Sequence, residues 1–291
     1  MKIGAVYPQI ETGGDPDFLD KIGLATEELG YDSLVMYDHV VGAKHGDRDP
    51  PLTGPYTEND PFHDPFVAFA YLAGKTSRIE FITGILILPQ RQTVLVAKQA
   101  ADLDLVSRGR FSLGVGTGWN YVEYDALGAD FAQRGKMLSE QVPYLRRLWS
   151  EPLVSFEGQF HTIDRGNIIP RPTRQIPILF GGFAPPAFRR AGRMGDGFIF
   201  PMSFEKVVKP GLAMIREVMD AEGRDFGQFA KHLLIQDRHG GGPDVPEVLE
   251  VLEIWRKMGG THASISTMKR GHRTPEEHIE YLAEIRRGID G

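Results

Sequence analysis

The fold is decided by residues 2–37, KIGAVYPQIETGGDPDFLDKIGLATEELGYDSLVMY, and by the pattern that they begin. Lys2–Tyr7 is a short β-rich run, and Pro16–Leu29 has apolar residues at helical spacing. Gly30 stands where a helix C-terminal cap is expected, and Ser33–Tyr37 is again a compact apolar run. The stretch therefore predicts a strand, a helix and a second strand.

The same alternation continues to the end of the chain. Six further apolar runs predict strands, each followed by a helical pattern, so that eight units follow in series. This series favours an α/β fold of parallel strands with right-handed crossovers, closed into a (β/α)8 TIM barrel, over an open doubly wound sheet. The six strands are Phe81–Leu86, Arg110–Val115, Ile176–Phe180, Gly197–Phe200, His232–Gln236 and His262–Thr267, and the clearest helices are Thr93–Ser107, Arg134–Ser150, one starting near Pro185 and Pro275–Gly288.

Two insertions interrupt the alternation. Val40–Asp64 follows the second strand and is too long for an ordinary strand-to-helix loop. Segments after barrel strands lie on the catalytic face, so we predict that it forms a lid. Glu151–Gln175 precedes the fifth strand and predicts a hairpin around Glu157–Gly158 and Asp164–Gly166. We expect residues 1–291 to form one barrel domain with these two insertions.

Composition excludes several classes of protein. The net charge of −6 gives no electrostatic footprint for nucleic acid. The absence of cysteine excludes disulfides, thiol nucleophiles, iron–sulfur clusters and thiolate zinc sites. The N-terminus does not resemble a signal peptide, and no segment reaches the roughly 18 apolar residues of a spanning helix. We therefore expect a cytoplasmic protein with neither a nucleic-acid nor a membrane partner.

Motifs for metal, hydrolase and dinucleotide chemistry are also missing. There is no HExxH pair, so no metal site is predicted, and there is no G-x-S-x-G nucleophile elbow. The run Gly114–Gly118 is followed by Trp119 where the dinucleotide fingerprint needs its third glycine. The polar and glycine residues at the strand ends are the remaining candidates.

Glycines at the ends of three strands would let a flat ligand or a phosphate approach the backbone. Gly181 and Gly182 come just before the helix that starts near Pro185. The free N–H groups and positive dipole end of a helix N-terminus make a phosphate site, although a mere tight turn is an equal alternative. His39, directly after Asp38, could hydrogen-bond a cofactor or pass a proton near neutral pH, or be a satisfied core histidine.

At these strand ends the chain resembles the luciferase-like monooxygenase superfamily, within its branch that uses the deazaflavin coenzyme F420. The resemblance runs from the first strand to about Pro201. Several matching segments in order, each at a strand end, make this signal specific where each segment alone is weak. These segments are Tyr37–His39, Thr83–Pro89, Ala97–Gly128 and Arg171–Phe198.

The resemblance implies a pocket for one tricyclic ring with a phosphate tail. It implies a non-proline cis peptide between Gly84 and Ile85, and a proton-handling histidine at His39 beside Asp38. Glu58 or Asp64 could assist His39 on the basis of loop placement alone, and a solvated surface is the favoured alternative for both. The other implied cofactor contacts are Thr117 and Gly118 at the ring, and Gly181, Gly182 and Phe183 at the phosphate.

One position departs from the sugar-phosphate dehydrogenases of this branch, which carry a glutamate where this chain has Trp119. That substitution argues against a sugar phosphate as substrate. A flat apolar wall at Trp119 fits a larger or more hydrophobic compound, and a core aromatic side chain is the plain alternative.

The expected function is hydride transfer between F420 and a small organic substrate. One alternative is FMN with a separate reductase, and a second is a catalytically silent cofactor-binding barrel. The acidic tail of F420 would favour cations at the rim, and relatives that are dimers suggest a homodimer. The candidate cations are Arg91, Lys98, Lys44 and Arg48.

Overall fold

The computed structural model describes residues 1–237 and 241–291. Its strands alternate with helices along the chain, as the sequence pattern predicts. The strands are β1 (Lys2–Val6), β2 (Ser33–Met36), β3 (Glu80–Thr83), β4 (Leu86–Ile87), β5 (Phe111–Gly116), β6 (Val154–Glu157), β7 (Thr162–Gly166), β8 (Ile178–Gly181), β9 (Gly197–Pro201), β10 (Ala230–Ile235) and β11 (His262–Ser266). The helices are α1 (Pro16–Glu28), α2 (Pro65–Ala73), α3 (Thr93–Val106), α4 (Tyr121–Ala126), α5 (Arg134–Ser150), α6 (Pro185–Met194), α7 (Lys209–Ala221), α8 (Val245–Lys257) and α9 (Pro275–Asp290).

Eight of these strands close into a parallel barrel. The ring runs β1-β2-β3-β5-β8-β9-β10-β11 within the described residues, and β11 pairs with β1 to complete it. Ile3 pairs with Ala263 across the closing seam, and Val6 pairs with Ser266. The predicted (β/α)8 TIM barrel is therefore confirmed.

The predicted third strand, Phe81–Leu86, is wrong as a continuous element. It is interrupted at Gly84–Ile85, where the peptide bond is cis. Strand β3 pairs with both β2 and β5 before the break, whereas β4 continues only along β5, with Leu86 opposite Val115. The chain therefore changes direction at the C-terminal end of this strand.

The helices cover the barrel with their apolar faces. In α1, Asp15 caps the N-terminus through Asp17 N, Pro16 occupies the first turn, and Phe18 and Ile22 are buried against the core. Strand side chains such as Leu34, Phe81 and Leu113 are fully buried. In the described residues, no helix is long and apolar enough to cross a membrane.

Both predicted insertions have the expected type of structure. Residues 40–64 contain neither helix nor strand, and Asp64 ends them by capping α2 through the amides of Phe66 and Val67. The second insertion contains the predicted hairpin, with β6 and β7 antiparallel.

Candidate active site

The sequence-predicted site residues meet at one end of the barrel. The barrel strands are parallel, so the segments after their C-terminal ends surround one mouth, which is where active sites of this fold lie. These residues are Asp38 and His39 after β2, Gly84 and Ile85 after β3, Thr117, Gly118 and Trp119 after β5, and Gly181, Gly182 and Phe183 at the end of β8.

Ile85 joins three strand ends in the floor of this mouth. Its side chain fills the space that two glycines leave open. A Cβ added to Gly116 would stand 1.8 Å from Ile85 Cδ1, and one added to Gly181 would stand 2.7 Å from Ile85 Cγ2. Both glycines are therefore needed for Ile85 to lie across the ends of β5 and β8.

Thr117 and Gly118 form the turn that leaves β5. Gly118 has a φ of +62°, which favours glycine, and a Cβ there would stand 2.9 Å from Ile87 Cγ2. The carbonyl oxygen of Thr117 accepts a hydrogen bond of 2.8 Å from the Tyr124 hydroxyl. The turn is thus hydrogen-bonded to α4 through Tyr124 and packed closely against β4 at Ile87.

The turn after β8 leads into a helix without a side-chain cap. Gly182 has a φ of +141°, Phe183 is 73% exposed, and the N-cap residue Ala184 makes no capping hydrogen bond. Pro185 and Pro186 open α6 and carry no N–H, and the Ala187 amide donates to the Ala184 carbonyl oxygen at 2.9 Å, so the first turn offers an anion its positive dipole end rather than free amides.

Two arginines, one in α6 and one at the start of α5, form no ion pair with a carboxylate in the described residues. Arg190, in the second turn of α6, donates to Ser139 Oγ at 3.0 Å, and Arg134 stacks on the Phe131 ring at 3.7 Å. Burial, and then the charge of Arg134, lowers the pKa of Arg190. In the described part of the chain neither forms an ion pair, so both guanidinium groups remain available to an anion near α6.

His39 is paired with a buried carboxylate. Its Nδ1 lies 3.2 Å from Glu123 Oε2, and the two side chains are 9% and 1% exposed. A carboxylate accepts hydrogen bonds, so in the neutral ring Nδ1 carries the proton and Nε2 has the lone pair. Within residues 1–237 and 241–291, no hydrogen bond engages Nε2. The pair therefore fixes both the tautomer and the orientation of the imidazole.

Glu123 is a candidate site residue that sequence reasoning missed. It lies on the six-residue helix α4, and no helix was predicted between the strand ending at Val115 and the helix beginning at Arg134. Its other oxygen accepts from the amides of Val40 and Val41. Burial acts to raise the pKa of Glu123, but the bonds from His39 and these amides outweigh it, so the pKa is lowered. The available signal was Asn120, a favoured N-cap residue three positions before Glu123, which indicates a short helix there.

Asp38 has a different environment from His39. Its buried carboxylate accepts from Ile87 N at 2.9 Å and from Arg91 Nη2 at 2.6 Å, and Arg91 also reaches Asp64 at 3.2 Å. Burial raises the pKa of Asp38, with Arg91 opposing. These contacts make Asp38 an anchor between β2 and β4, which holds the neighbouring His39 in place.

Aromatic side chains from the first insertion surround His39. Its ring centroid lies 4.8 Å from that of Phe62, 5.4 Å from Tyr56 and 5.6 Å from Trp119. A Cβ added to Gly54 would stand 2.3 Å from Trp119 Cζ3, so the insertion backbone rests on the indole. The predicted lid therefore covers the site, and Trp119 lies at its boundary with His39.

The other sequence candidates are engaged elsewhere or point to solvent. Lys98 pairs with Asp102 at 2.8 Å, and Arg48 donates to the carbonyl oxygen of Lys44. Glu58 is exposed, and Asp64 serves as the α2 cap. No group of three or more metal-ligating side chains exists among the described residues. Arg134 and Arg190, which form no ion pair among the described residues, are therefore better suited than these candidates to bind the acidic tail of the cofactor.

Comparison with known proteins gives the family. The family model described as luciferase-like monooxygenase matches residues 4–236. An uncharacterized protein of Mycobacterium tuberculosis is 36% identical over 235 residues, covering 79% of this chain and 81% of that protein. An F420-dependent glucose-6-phosphate dehydrogenase of Kineococcus radiotolerans is 29% identical over 255 residues, covering 84% of this chain and 70% of that protein.

A solved structure agrees at the level of the fold. A monooxygenase from Streptomyces bottropensis superposes with a TM-score of 0.79 at 20% identity, covering 100% of both chains. The family match spans well over half of the sequence and includes the strand ends after β2, β3, β5 and β8. The chain therefore belongs to the luciferase-like monooxygenase family of oxidoreductase enzymes.

Proposed function

We propose that this protein is an F420-dependent oxidoreductase that transfers a hydride between the deazaflavin and an uncharged, largely apolar organic substrate. The observation that carries the proposal is the His39–Glu123 pair, set among aromatic rings at the mouth of the barrel. A relative named as an F420-dependent dehydrogenase, 29% identical to this chain, supports the choice of cofactor.

The residues at the mouth fit such a cofactor. Ile85 lies where Gly116 and Gly181 lack side chains, and a Cβ at either glycine would disturb this floor. Thr117 and Gly118 would border the ring. The backbone of Gly181, Gly182 and Phe183, at the positive dipole end of α6, would hold the phosphate.

The bound deazaflavin would supply two-electron hydride chemistry at its ring carbon. His39 would hold or accept the accompanying proton at Nε2, because Glu123 keeps the proton of the ring on Nδ1. The aromatic lid would exclude water from this proton. Asp38 would act through its position only, since Arg91 and Ile87 occupy its oxygens.

The surroundings of His39 favour an uncharged substrate. Tyr56, Phe62 and Trp119 present apolar ring surface, and such surface binds alkyl or aryl groups rather than phosphates. We therefore infer that a secondary alcohol, a ketone or an activated alkene is a better substrate than a sugar phosphate.

FMN with a separate reductase is the second candidate, favoured by the monooxygenase description of the family model. FMN shares the tricyclic ring and the phosphate, but it lacks the acidic tail. The unpaired guanidinium groups of Arg134 and Arg190 beside α6 favour the more anionic F420. A catalytically silent barrel would have no use for a buried His39–Glu123 pair.

Anaerobic and aerobic turnover separate these candidates. We expect oxidation or reduction of F420 with apolar alcohols or ketones, independent of oxygen, and little turnover of glucose 6-phosphate. Oxygen-dependent product formation with reduced FMN alone would support the monooxygenase instead. Absence of turnover with either cofactor, despite tight binding, would support the silent barrel.

The expected homodimer remains a prediction. Val67 and Tyr71 on α2, and Leu95 on α3, are 71%, 43% and 53% exposed, and apolar exposure of this kind is typical of subunit contacts. Light scattering after size-exclusion chromatography would give the mass, and Val67→Glu with Leu95→Glu would dissociate a dimer that uses this face.

A further inference from the structure

A second cleft lies at the opposite end of the barrel from the site of His39. Its volume is about 750 Å³, within the range of sites for small organic ligands. Lys231 stands near the start of β10, whereas the active-site mouth surrounds the strand C-termini. The walls come from α7, the segment before β10 and the end of α8, and include Leu212, Arg216, Phe226, Lys231 and Met258.

Lys231 is a buried cation that forms no ion pair among the described residues. The residue is 8% exposed, and its Nζ lies 4.8 Å from the centroid of the Phe226 ring. Arg216 approaches the same ring, with its Cζ at 4.5 Å. In the described part of the chain, no carboxylate forms an ion pair with either of these two cations.

The charge of Lys231 is unfavourable in the protein alone. Burial lowers the pKa of Lys231, the nearby charge of the exposed Arg216 lowers it further, and the charge of Asp225 opposes both. A buried charge costs free energy unless a partner of opposite charge compensates it. Two cations directed at one aromatic ring therefore indicate a place for an anion.

The other charged groups of the cleft are accounted for separately. Arg224 donates to the carbonyl oxygens of Ala191 and Gly192, near the end of α6. Asp225 accepts from the Gly227 amide and shapes the loop. Asp220 also lines the cleft, so three cationic side chains face two carboxylates. The cleft therefore carries one surplus positive charge, and among the described residues Lys231 and Arg216 form no ion pair.

We propose that this cleft binds a small organic anion, whose carboxylate or phosphate group lies between Lys231 and Arg216. Its apolar part would rest on Phe226, Leu212 and Met258. The site is separate from the redox site, so the inference does not depend on the proposed function. Phenyl phosphate has both the charge and the ring that the cleft would recognise, and inorganic phosphate has the charge alone.

Isothermal titration calorimetry with these two probes tests the site. Phenyl phosphate should bind the wild-type protein more tightly than inorganic phosphate does. Lys231→Met and Arg216→Gln should each weaken phenyl phosphate by about tenfold or more, because each removes a charge-assisted contact. Phe226→Leu should reduce the advantage of phenyl phosphate over inorganic phosphate.

Controls assign the binding to this cleft. Lys21→Met and Arg287→Gln remove exposed charges elsewhere and should leave the affinity unchanged. Because the turn before α6 is itself proposed to hold a phosphate, the titrations are repeated in Gly182→Ala, where binding should persist and still be lost on adding Lys231→Met. Thermal unfolding verifies that each variant folds. If Lys231→Met does not fold, Arg216→Gln still tests the site, because Arg216 is exposed. Equal affinity of wild type and Arg216→Gln, or equal loss in Lys21→Met, would overturn the proposal.

Discussion

The imidazole of His39 donates from Nδ1 to Glu123 Oε2 over 3.2 Å, across two segments that are 84 positions apart in the sequence. The same carboxylate binds the amides that begin the lid, Val40 and Val41. One buried side chain therefore orients the candidate proton acceptor and fixes the base of the segment that covers it.

The tautomer of His39 can be measured without a substrate. We expect the ring to be protonated at Nδ1 in the wild-type protein near neutral pH, because Glu123 accepts from that nitrogen. Replacing Glu123 by alanine should release a mixture of tautomers. Long-range ¹H–¹⁵N correlation spectra of histidine-labelled protein report this directly. An Nε2-protonated ring in the wild type would contradict the assignment.

Glu123 should also make stability depend on pH. Its pKa in the folded protein lies below the ordinary value of 4.5, so its stabilising contribution is complete above that pH and is lost as the pH falls through the lowered value. The difference in free energy of unfolding between wild type and Glu123→Gln should thus shrink on acidification. Urea titrations between about pH 3 and pH 7 measure it, with exposed Glu250→Gln as control. A difference that stays constant over this range would count against the pair.

Loss of Arg91 should be costly because it leaves Asp38 buried and unpaired. Arg91→Met should lower the free energy of unfolding by about 3–5 kcal/mol, the usual cost of breaking one side of a buried pair. Lys98→Met removes a surface pair with Asp102 and should cost less than about 1 kcal/mol. Urea denaturation compares the two variants. Similar losses for both would show that Asp38 is not an anchor.

The floor of the site should respond to a single added methyl group. Gly116→Ala would place its Cβ 1.8 Å from Ile85 Cδ1, so the variant should lose about 1–3 kcal/mol of stability and bind cofactor more weakly. Adding Ile85→Val removes Cδ1 and should recover most of both losses. Such recovery in a double-mutant cycle is specific to this contact. If the two substitutions simply add, Ile85 does not lie in the gap as described.

Much of the fold could be predicted from the sequence, because each strand and helix carries a local signal. Helix α5 begins and ends at the predicted residues, and the predicted hairpin is present. The break in the third strand could not be derived from periodicity, since Phe81–Leu86 contains neither proline nor a charged residue and has the pattern of one continuous strand. It was expected only from the family resemblance, through the cis bond at Gly84–Ile85.

Candidate site residues could be predicted where polar and glycine residues follow the end of a strand. His39 and Gly182 were proposed in this way, and their roles remain predictions. Glu123 was not, because an acidic residue on a short helix looks like a solvated surface until the tertiary structure buries it. Arg91 was expected at the rim because a charged loop residue also looks exposed in the sequence. Its bonds to Asp38 and Asp64 join separate loops, so only the tertiary structure reveals them.

The most direct test of the central claim is fluorescence titration of the protein with F420, FMN and phosphate-free riboflavin. We predict saturable F420 binding that is tighter than FMN binding, with riboflavin weaker than FMN. Gly182→Ala should weaken F420 by about tenfold or more, because its φ of +141° disfavours a side chain beside the phosphate turn. Gly223→Ala, which strains a remote glycine with a φ of +65°, should not weaken it. Tight FMN binding with no F420 signal would contradict the choice of cofactor, and binding of neither would contradict the pocket.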